Sequence, residues 1–519
     1  MTPSTDGAIA ETAPADAASP KLADDAGAAD VRVAVRSAMV LNAALVATWA
    51  VASLVRFFLS RHLGPELFGV YRAADAQTTV WYMLLSFGME TYIQKEIPVR
   101  PQHATDFLGG VVVARALLSV VVLSGLAALL WMKGVPTPRS ALLLTFCAGY
   151  AVMSMNATLA ALLHASRQVG GLSVMNVVTK IVWGVGILVA VLLRLPLAGL
   201  AGAMAVSEVG KCVVLALLVR KHLGARWRVD FGAIKRVFAI SLPFYVNGVA
   251  ITVYGNVDTI VLSWLSSDAE VGYYSAAQNI AGLSMFISPL IGWVLMPLLS
   301  RAGARSSDEM YALFLRALEL VITLIAPVVA MVGLGADVWV TRLSGGDYGP
   351  AALALRILAP MFVLTYLATI AATTLNIQGR SWTVTIVSCG SLFASAALDT
   401  FLVPRAWHWL GIGGAGAGAA FSLTLTEAAV SMTFLIVLGR RAFDRRSLAA
   451  IAKSFLICAL VAAFDHFLRP LTWSRLMLDA LAFGVLAIVT GTVRLDEVRA
   501  LVGDQLRAKV GRRSAPSGG

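Results

Sequence analysis

Charge is scarce in this sequence: Asp, Glu, Lys and Arg together supply 13% of 519 residues, while hydrophobic types supply 58%. A soluble domain carries about 25% charged and about 45–50% apolar residues, and has too little interior to hide a larger apolar share. A bilayer removes that difficulty, and the mean hydropathy of +0.79 agrees. Cysteine is equally thin. Cys147, Cys212, Cys389 and Cys458 stand far apart, each in an apolar run, so neither a disulfide framework nor a CxxC metal site is expected. The six histidines are scattered and form no HxxxH pair, which argues against a metal cofactor. Residues 1–30 lack the basic start and apolar core of a secretory signal and read as a disordered cytoplasmic tail. Long hydrophilic loops are missing too. The longest external connection, near 333–350, is too short to house the catalytic residues of a membrane polymerase or ligase, so no enzyme is expected.

What fills the chain instead is a succession of apolar runs near the length of about 20 residues that a spanning helix needs. They fall near 36–59, 69–93, 106–132, 139–164, 170–193, 197–219, 237–264, 271–299, 309–333, 350–376, 382–403, 411–438, 448–468 and 473–492. The fold class expected is therefore all-α and polytopic, with about 14 transmembrane helices. The second run contains Arg72, Asp75, Gln77 and Glu90 and must face protein or water. With the N-terminus inside, the cytoplasmic loops and tails carry 26 Lys and Arg against 8 on the other side. That bias places both termini in the cytoplasm. The net charge of +12 belongs to these loops and not to a basic face with aromatic stacking platforms, so no nucleic acid partner is expected.

An internal repeat organises the runs. Gly69, Tyr71, Ala73 and Ala74 recur as Gly272, Tyr274, Ala276 and Ala277 at an offset of 203, and Gly199–Ala203 parallels Gly411–Ala415 at 212. An even number of helices per repeat makes the halves parallel, related by an axis along the membrane normal. The expected organisation is a tail at 1–31, six-helix lobes at 32–228 and 229–440, two extra helices at 441–493 and a basic cytoplasmic tail at 494–519. Two nucleotide-like motifs carry no weight. Gly411-x-Gly413-x-x-Gly416 opens a transmembrane run, not a βαβ unit, and Gly210-Lys211 lacks the rest of a P-loop.

The stretch Ser241-Leu242-Pro243-Phe244 through Tyr254, Asp258 and Leu262, with Val271-Gly272-Tyr273-Tyr274 and Pro297-Leu298-Leu299-Ser300, resembles the multidrug/oligosaccharidyl-lipid/polysaccharide (MOP) exporter superfamily. Leu63-Gly64-Pro65-Glu66-Leu67-Phe68-Gly69-Val70-Tyr71 is similar to the entry segment of Wzx-type polysaccharide flippases within it. The resemblance implies a bacterial inner-membrane flippase for an undecaprenyl-diphosphate-linked oligosaccharide, serving exopolysaccharide or O-antigen (lipopolysaccharide) biosynthesis by alternating access. Its implied partners are membrane lipid, the lipid-linked oligosaccharide, and a polysaccharide polymerase with chain-length proteins. A lipid II flippase and a cation-coupled multidrug antiporter of the same superfamily are the alternatives.

Ionisable residues inside spans are the candidates for function, because each is expensive there unless paired or hydrated. Arg56, Arg72, Arg115, Lys180 and Lys211 are expected to line a cationic cavity in the first lobe, suited to a diphosphate. Local pairing of Arg72 with Asp75, and of Glu208 with Lys211, is the competing reading at i, i+3 spacing. The second lobe holds Asp258, Glu319, Asp399 and Glu427; Asp258 and Glu427 are the candidates for coupling or gating, with H⁺ or Na⁺ as coupling ion.

Overall fold

The computed structural model describes residues 20–86, 93, 110–165, 169–223, 231–468 and 472–490, and among them every regular element is a helix. The expected tail over 494–519 and the loop ends near 87–109 lie outside the described residues. A chain in hydrocarbon must satisfy its backbone internally, and helices do so within one segment.

The elements are α1 (Pro20–Ser86), α2 (Val112–Met132), α3 (Thr137–Ala165), α4 (Val169–Leu192), α5 (Leu197–Leu223), α6 (Phe231–Leu265) and α7 (Asp268–Ala281). After a 3₁₀ segment (Gly282–Ile287) come α8 (Ser288–Arg305), α9 (Ser307–Leu334), α10 (Ala336–Leu343), α11 (Ala351–Leu358) and α12 (Met361–Ile377). The chain continues through α13 (Ser381–Leu410), α14 (Gly414–Leu438), α15 (Arg445–Leu468) and α16 (Thr472–Val489). Helix α1 already starts at Pro20, inside the Ala-rich stretch read as tail, where alanine favours helix. Ten helices among the described residues are long and apolar enough to cross a membrane. The first of these, Ala43–Met83, folds over a break at Gly64 and so holds the first two expected runs. The runs expected at 271–299, 448–468 and 473–492 fall on α7–α8, α15 and α16.

The break has a local cause. Gly64 takes φ 71° and ψ 173°, a conformation closed to most L-residues, and Pro65 then starts the second arm with its φ preset and no N–H to satisfy. The arm over 65–86 is thereby turned back beside the first.

Helices α1 and α5 each pack on α3 and α4, with α2 against α3. Helix α6 packs on α13, α14 collects α11, α12 and α13, and α9 joins α8 and α12. Helices α15 and α16 form a hairpin laid against α9. Apolar side chains point outward in rows, for example Leu117, Val120 and Val121 on α2 and Phe393 and Phe401 on α13. Such rows would aggregate in water and are the lipid-facing surface of a membrane bundle.

The two halves meet where α1 crosses α7. A Cβ at Gly69 would overlap the Asp268 carbonyl, and one at Gly272 would overlap the Pro65 carbonyl. The contact is reciprocal: Pro65 with Gly272 and Asp268 with Gly69 exchange under the same offset of 203 found in the sequence. A two-fold axis through an interface demands that reciprocity. Around the crossing, Tyr348 donates to the Ser60 carbonyl (2.9 Å), Arg61 to the Arg342 carbonyl (3.3 Å) and Gln77 to the Ser263 hydroxyl (3.2 Å). Arg139 approaches Asp268 at 3.8 Å. These ties cluster at the end bearing the α1 break, the α6–α7 corner and α10.

Candidate functional site

The interior of the first half is polar along one line of helices. Arg72 and Asp75, one turn apart on α1, form an ion pair of 2.5 Å. The second Asp75 oxygen accepts from the Tyr150 hydroxyl of α3 at 2.7 Å, and Thr79 donates to Tyr150 at 2.8 Å. Arg56, on the opposing arm of α1, interacts electrostatically with Arg72, Asp75 and Tyr150. Its side chain is solvent-exposed.

A second group adjoins the first. Lys180 of α4 lies 5.4 Å over the Trp183 ring and interacts electrostatically with Glu208, Lys211, Arg56 and Asp75. The Asn156 amide of α3 donates to both the backbone and the carboxylate of Glu208, at 2.9 and 2.8 Å. No ion pair joins Glu208 to Lys211 among the described residues, so the two expected local pairings divide. Arg72 does pair with Asp75, whereas Asn156 takes the Glu208 carboxylate and leaves Lys211 and Lys180 as neighbouring cations. Four basic side chains therefore share this interior with two acids.

Arg115 sits elsewhere in character. It is fully buried, and its guanidinium donates to the Ser154 carbonyl of α3. A buried arginine must use its donors or pay full desolvation, so this contact ties α2 to α3. The structure encloses Arg115 and sets Arg56, Arg72, Lys180 and Lys211 together.

The second half has the opposite sign. The Asp258 carboxylate of α6 accepts from the Tyr274 hydroxyl (3.1 Å) and the Ser395 hydroxyl (2.9 Å), and faces the Asp399 carboxyl of α13. Asp399 is fully buried and interacts with Ser422 as well as with Asp258. Nearby, Glu427 of α14 accepts from Tyr254 (2.8 Å) and Thr365 (3.2 Å), joining α6, α12 and α14. Two carboxyl groups in contact away from water cannot both carry charge without a cation between them. The arrangement can hold a proton or a small cation. No cluster of three or more metal-type ligands occurs among the described residues.

Sequence spacing marked Arg56, Arg72, Lys180, Lys211, Asp258 and Glu427 because charge is rare in an apolar run. It gave no role to Tyr150 and Asn156, which hold the acids of the first half, because uncharged polar residues are common in spans. Asp399 was visible as a lone acid, but its pairing with Asp258 crosses 141 positions of sequence and required the packing of α6 on α13.

Comparison with known proteins adds the family context. The family described as polysaccharide biosynthesis protein matches residues 34–303, and the MatE family matches 243–401. No curated protein is a significant match. Among solved structures, a multidrug resistance MATE family transporter of the MOP superfamily in an inward-facing conformation shares 17% identity. It covers 77% of this chain and 94% of its own, with a TM-score of 0.57. The lipid II flippase MurJ in an inward closed conformation shares 12%, covering 84% and 98% with a TM-score of 0.62. A MOP superfamily transporter from Pyrococcus furiosus shares 15%, covering 79% and 96% with a TM-score of 0.54. At these identities the likeness is one of fold.

Proposed function

From the premise that the chain belongs to the polysaccharide biosynthesis protein family and is a membrane transporter of the MOP superfamily, we propose that it flips a diphosphate-linked oligosaccharide. The cargo is an undecaprenyl-diphosphate glycan, moved from the cytoplasmic to the periplasmic leaflet of a bacterial inner membrane for exopolysaccharide or O-antigen assembly. The observation that carries the reading is the excess of basic groups, Arg56, Arg72, Lys180 and Lys211, brought together in the first half, with Arg56 exposed. Arginine presents a planar fork to phosphate oxygens, and in a low-dielectric interior such contacts are stronger than in water. A cationic drug would be repelled there.

Transport proceeds by rocking of the two halves about the α1–α7 crossing, which alternately opens each side. Sidedness follows the loop charge: the tied end with Tyr348, Ser60 and Arg139 faces the periplasm. Asp258 and Asp399 are the coupling site, taking up H⁺ or Na⁺, with Glu427 beside them. The polymerase and chain-length proteins act downstream on the flipped product.

Reconstituted vesicles carrying a fluorescent undecaprenyl-diphosphate sugar test this. Flipping that falls at least tenfold in Arg56→Ala and Lys180→Ala, at unchanged protein level, supports it. Equal rates in both variants, or transport of lipid II alone, refute the cargo assignment. Indifference to both proton and sodium gradients refutes the coupling assignment.

A further inference from the structure

The α15–α16 hairpin carries a buried charge cluster that the transport reading does not use. Arg475 of α16 is almost wholly buried, and its Nη2 meets Asp337 of α10 at 2.5 Å and the Leu334 carbonyl of α9 at 3.5 Å. Its Nε lies 3.5 Å from Asp465 of α15. Arg356 of α11 reaches Asp337 at 3.3 Å. Behind Asp465 stands Asp479 of α16, whose carboxyl faces that of Asp465. Asp479 is fully buried, and neither of its oxygens meets a donor among the described residues.

The groups facing this point from each packed element are Asp465 and His466 of α15, Arg475 and Asp479 of α16, Asp337 of α10 and Arg356 of α11. Three acids face two arginines, so the carboxyl groups outnumber the guanidiniums by one. Two buried carboxylates in contact repel strongly unless a cation is shared between them. A sodium ion would need several further oxygen ligands beside the pair. A proton needs only the two carboxyls. Arg475 pairs with Asp465, whereas neither Asp479 oxygen meets a donor among the described residues, so Asp479 is assigned as the proton carrier. The pair is reachable: Asp465, His466 and Arg356 line a cavity of about 670 Å³ between α9, α11, α12 and α15, whose other walls are largely apolar.

We propose that Asp465 and Asp479 form a one-proton binding site in the α15–α16 hairpin, the proton resident on Asp479 and donated to Asp465, and that this proton keeps the hairpin fastened to α9 and α10. With the proton gone, a further buried anion draws Arg475 from Asp337 and the clasp loosens. The site is separate from the Asp258–Asp399 pair and does not depend on the cargo.

The test uses the full chain in lipid nanodiscs with His466→Gln, which removes imidazole titration. Infrared spectra of this parent at about pH 5 are expected to show a protonated-carboxyl band that Asp479→Asn lacks. Asparagine copies the shape of a protonated carboxyl, so assembly is retained. If Asp479→Asn does not assemble, Asp465→Asn removes the same band, because Asp479 then ionises against Arg475. Thermal unfolding from about pH 5 to about 9 gives the second reading. The unfolded chain releases this proton above about pH 4 while the folded chain keeps it, so parental stability falls with rising pH until the pair ionises. The Asp479→Asn curve lacks that slope. A spectrum unchanged by the substitution, or parallel stability curves, overturns the proposal. Restoration at alkaline pH by sodium chloride, and not by N-methylglucamine chloride, overturns it in favour of a sodium site.

Discussion

Replacing Gly272 with alanine is expected to move the transporter away from the conformation whose ends meet at the α1–α7 crossing. The added Cβ would overlap the Pro65 carbonyl, which is backbone and cannot rotate aside. Overpacking a tight contact costs about 1–3 kcal/mol, and that difference shifts a two-state equilibrium roughly 5–150-fold. Gly69→Ala meets the Asp268 carbonyl in the same way and should give a shift of similar size. Because both substitutions push apart the same two helices, the double variant should fall short of the summed effects. Gly125→Ala on α2 is the control, since nothing lies within 4 Å of its added Cβ. The assay is spin-label distance measurement across the tied end, with labels on exposed positions of the α2–α3 loop and the α13–α14 turn. Distances widening in both single variants and unchanged in Gly125→Ala are expected. A crossing that accepts alanine at either glycine without widening refutes the argument that this contact sets the closed end.

Four further outcomes follow from named contacts. Arg115→Leu should lower thermal stability by about 1–3 kcal/mol by stranding the buried Ser154 carbonyl, whereas Arg56→Ala should lower flipping and leave the melting temperature within error. Tyr150→Phe removes the donor to Asp75 and should reduce flipping several-fold with full assembly, read in the same vesicle assay. Glu270 accepts from the Gly413 and Gly416 amides at 2.5 and 3.0 Å at the start of α14, so Glu270→Leu should cost about 1–3 kcal/mol in thermal unfolding. Burial alone would raise the Asp337 carboxyl, but the hydrogen bond and charge of Arg475, with Arg356, hold it below the usual range. Its stabilising effect is complete above about pH 4 and lost as pH falls through the lowered value. Arg475→Gln should flatten that acid limb of the stability curve.

The helical class, the membrane setting and the repeat were legible because each rests on local sequence: apolar runs, loop charge, and a Gly-x-Tyr-x-Ala-Ala pattern seen twice. What the matching glycines do was not legible, since only the packed helices put Gly69 on Asp268 and Gly272 on Pro65. The candidate cations were found as rare charges, but burial separates Arg115 from the exposed Arg56, and periodicity alone cannot tell the two apart. Between the two readings of Glu208, spacing alone could not choose, for a physical reason. Spacing brought Lys211 within reach, yet Asn156 on the neighbouring helix α3 donates to both its backbone and its carboxylate, and no i, i+3 rule sees another helix.

The opposite signs of the two halves bear on the membrane potential. Among the described residues, the connected cluster of the first half holds four basic groups (Arg56, Arg72, Lys180, Lys211) against two acidic ones (Asp75, Glu208), two positive charges ahead, with Arg115 enclosed apart from it. A diphosphate brings one negative charge per phosphate, so the loaded site is close to electrically neutral. Voltage, worth about 2.3 kcal/mol per charge per 100 mV, then acts little on the loaded carrier and mainly on the empty one. For such a cargo, the step driven by the inside-negative potential is the return of the unloaded transporter, and flux should respond to voltage most when substrate is plentiful and the return is limiting.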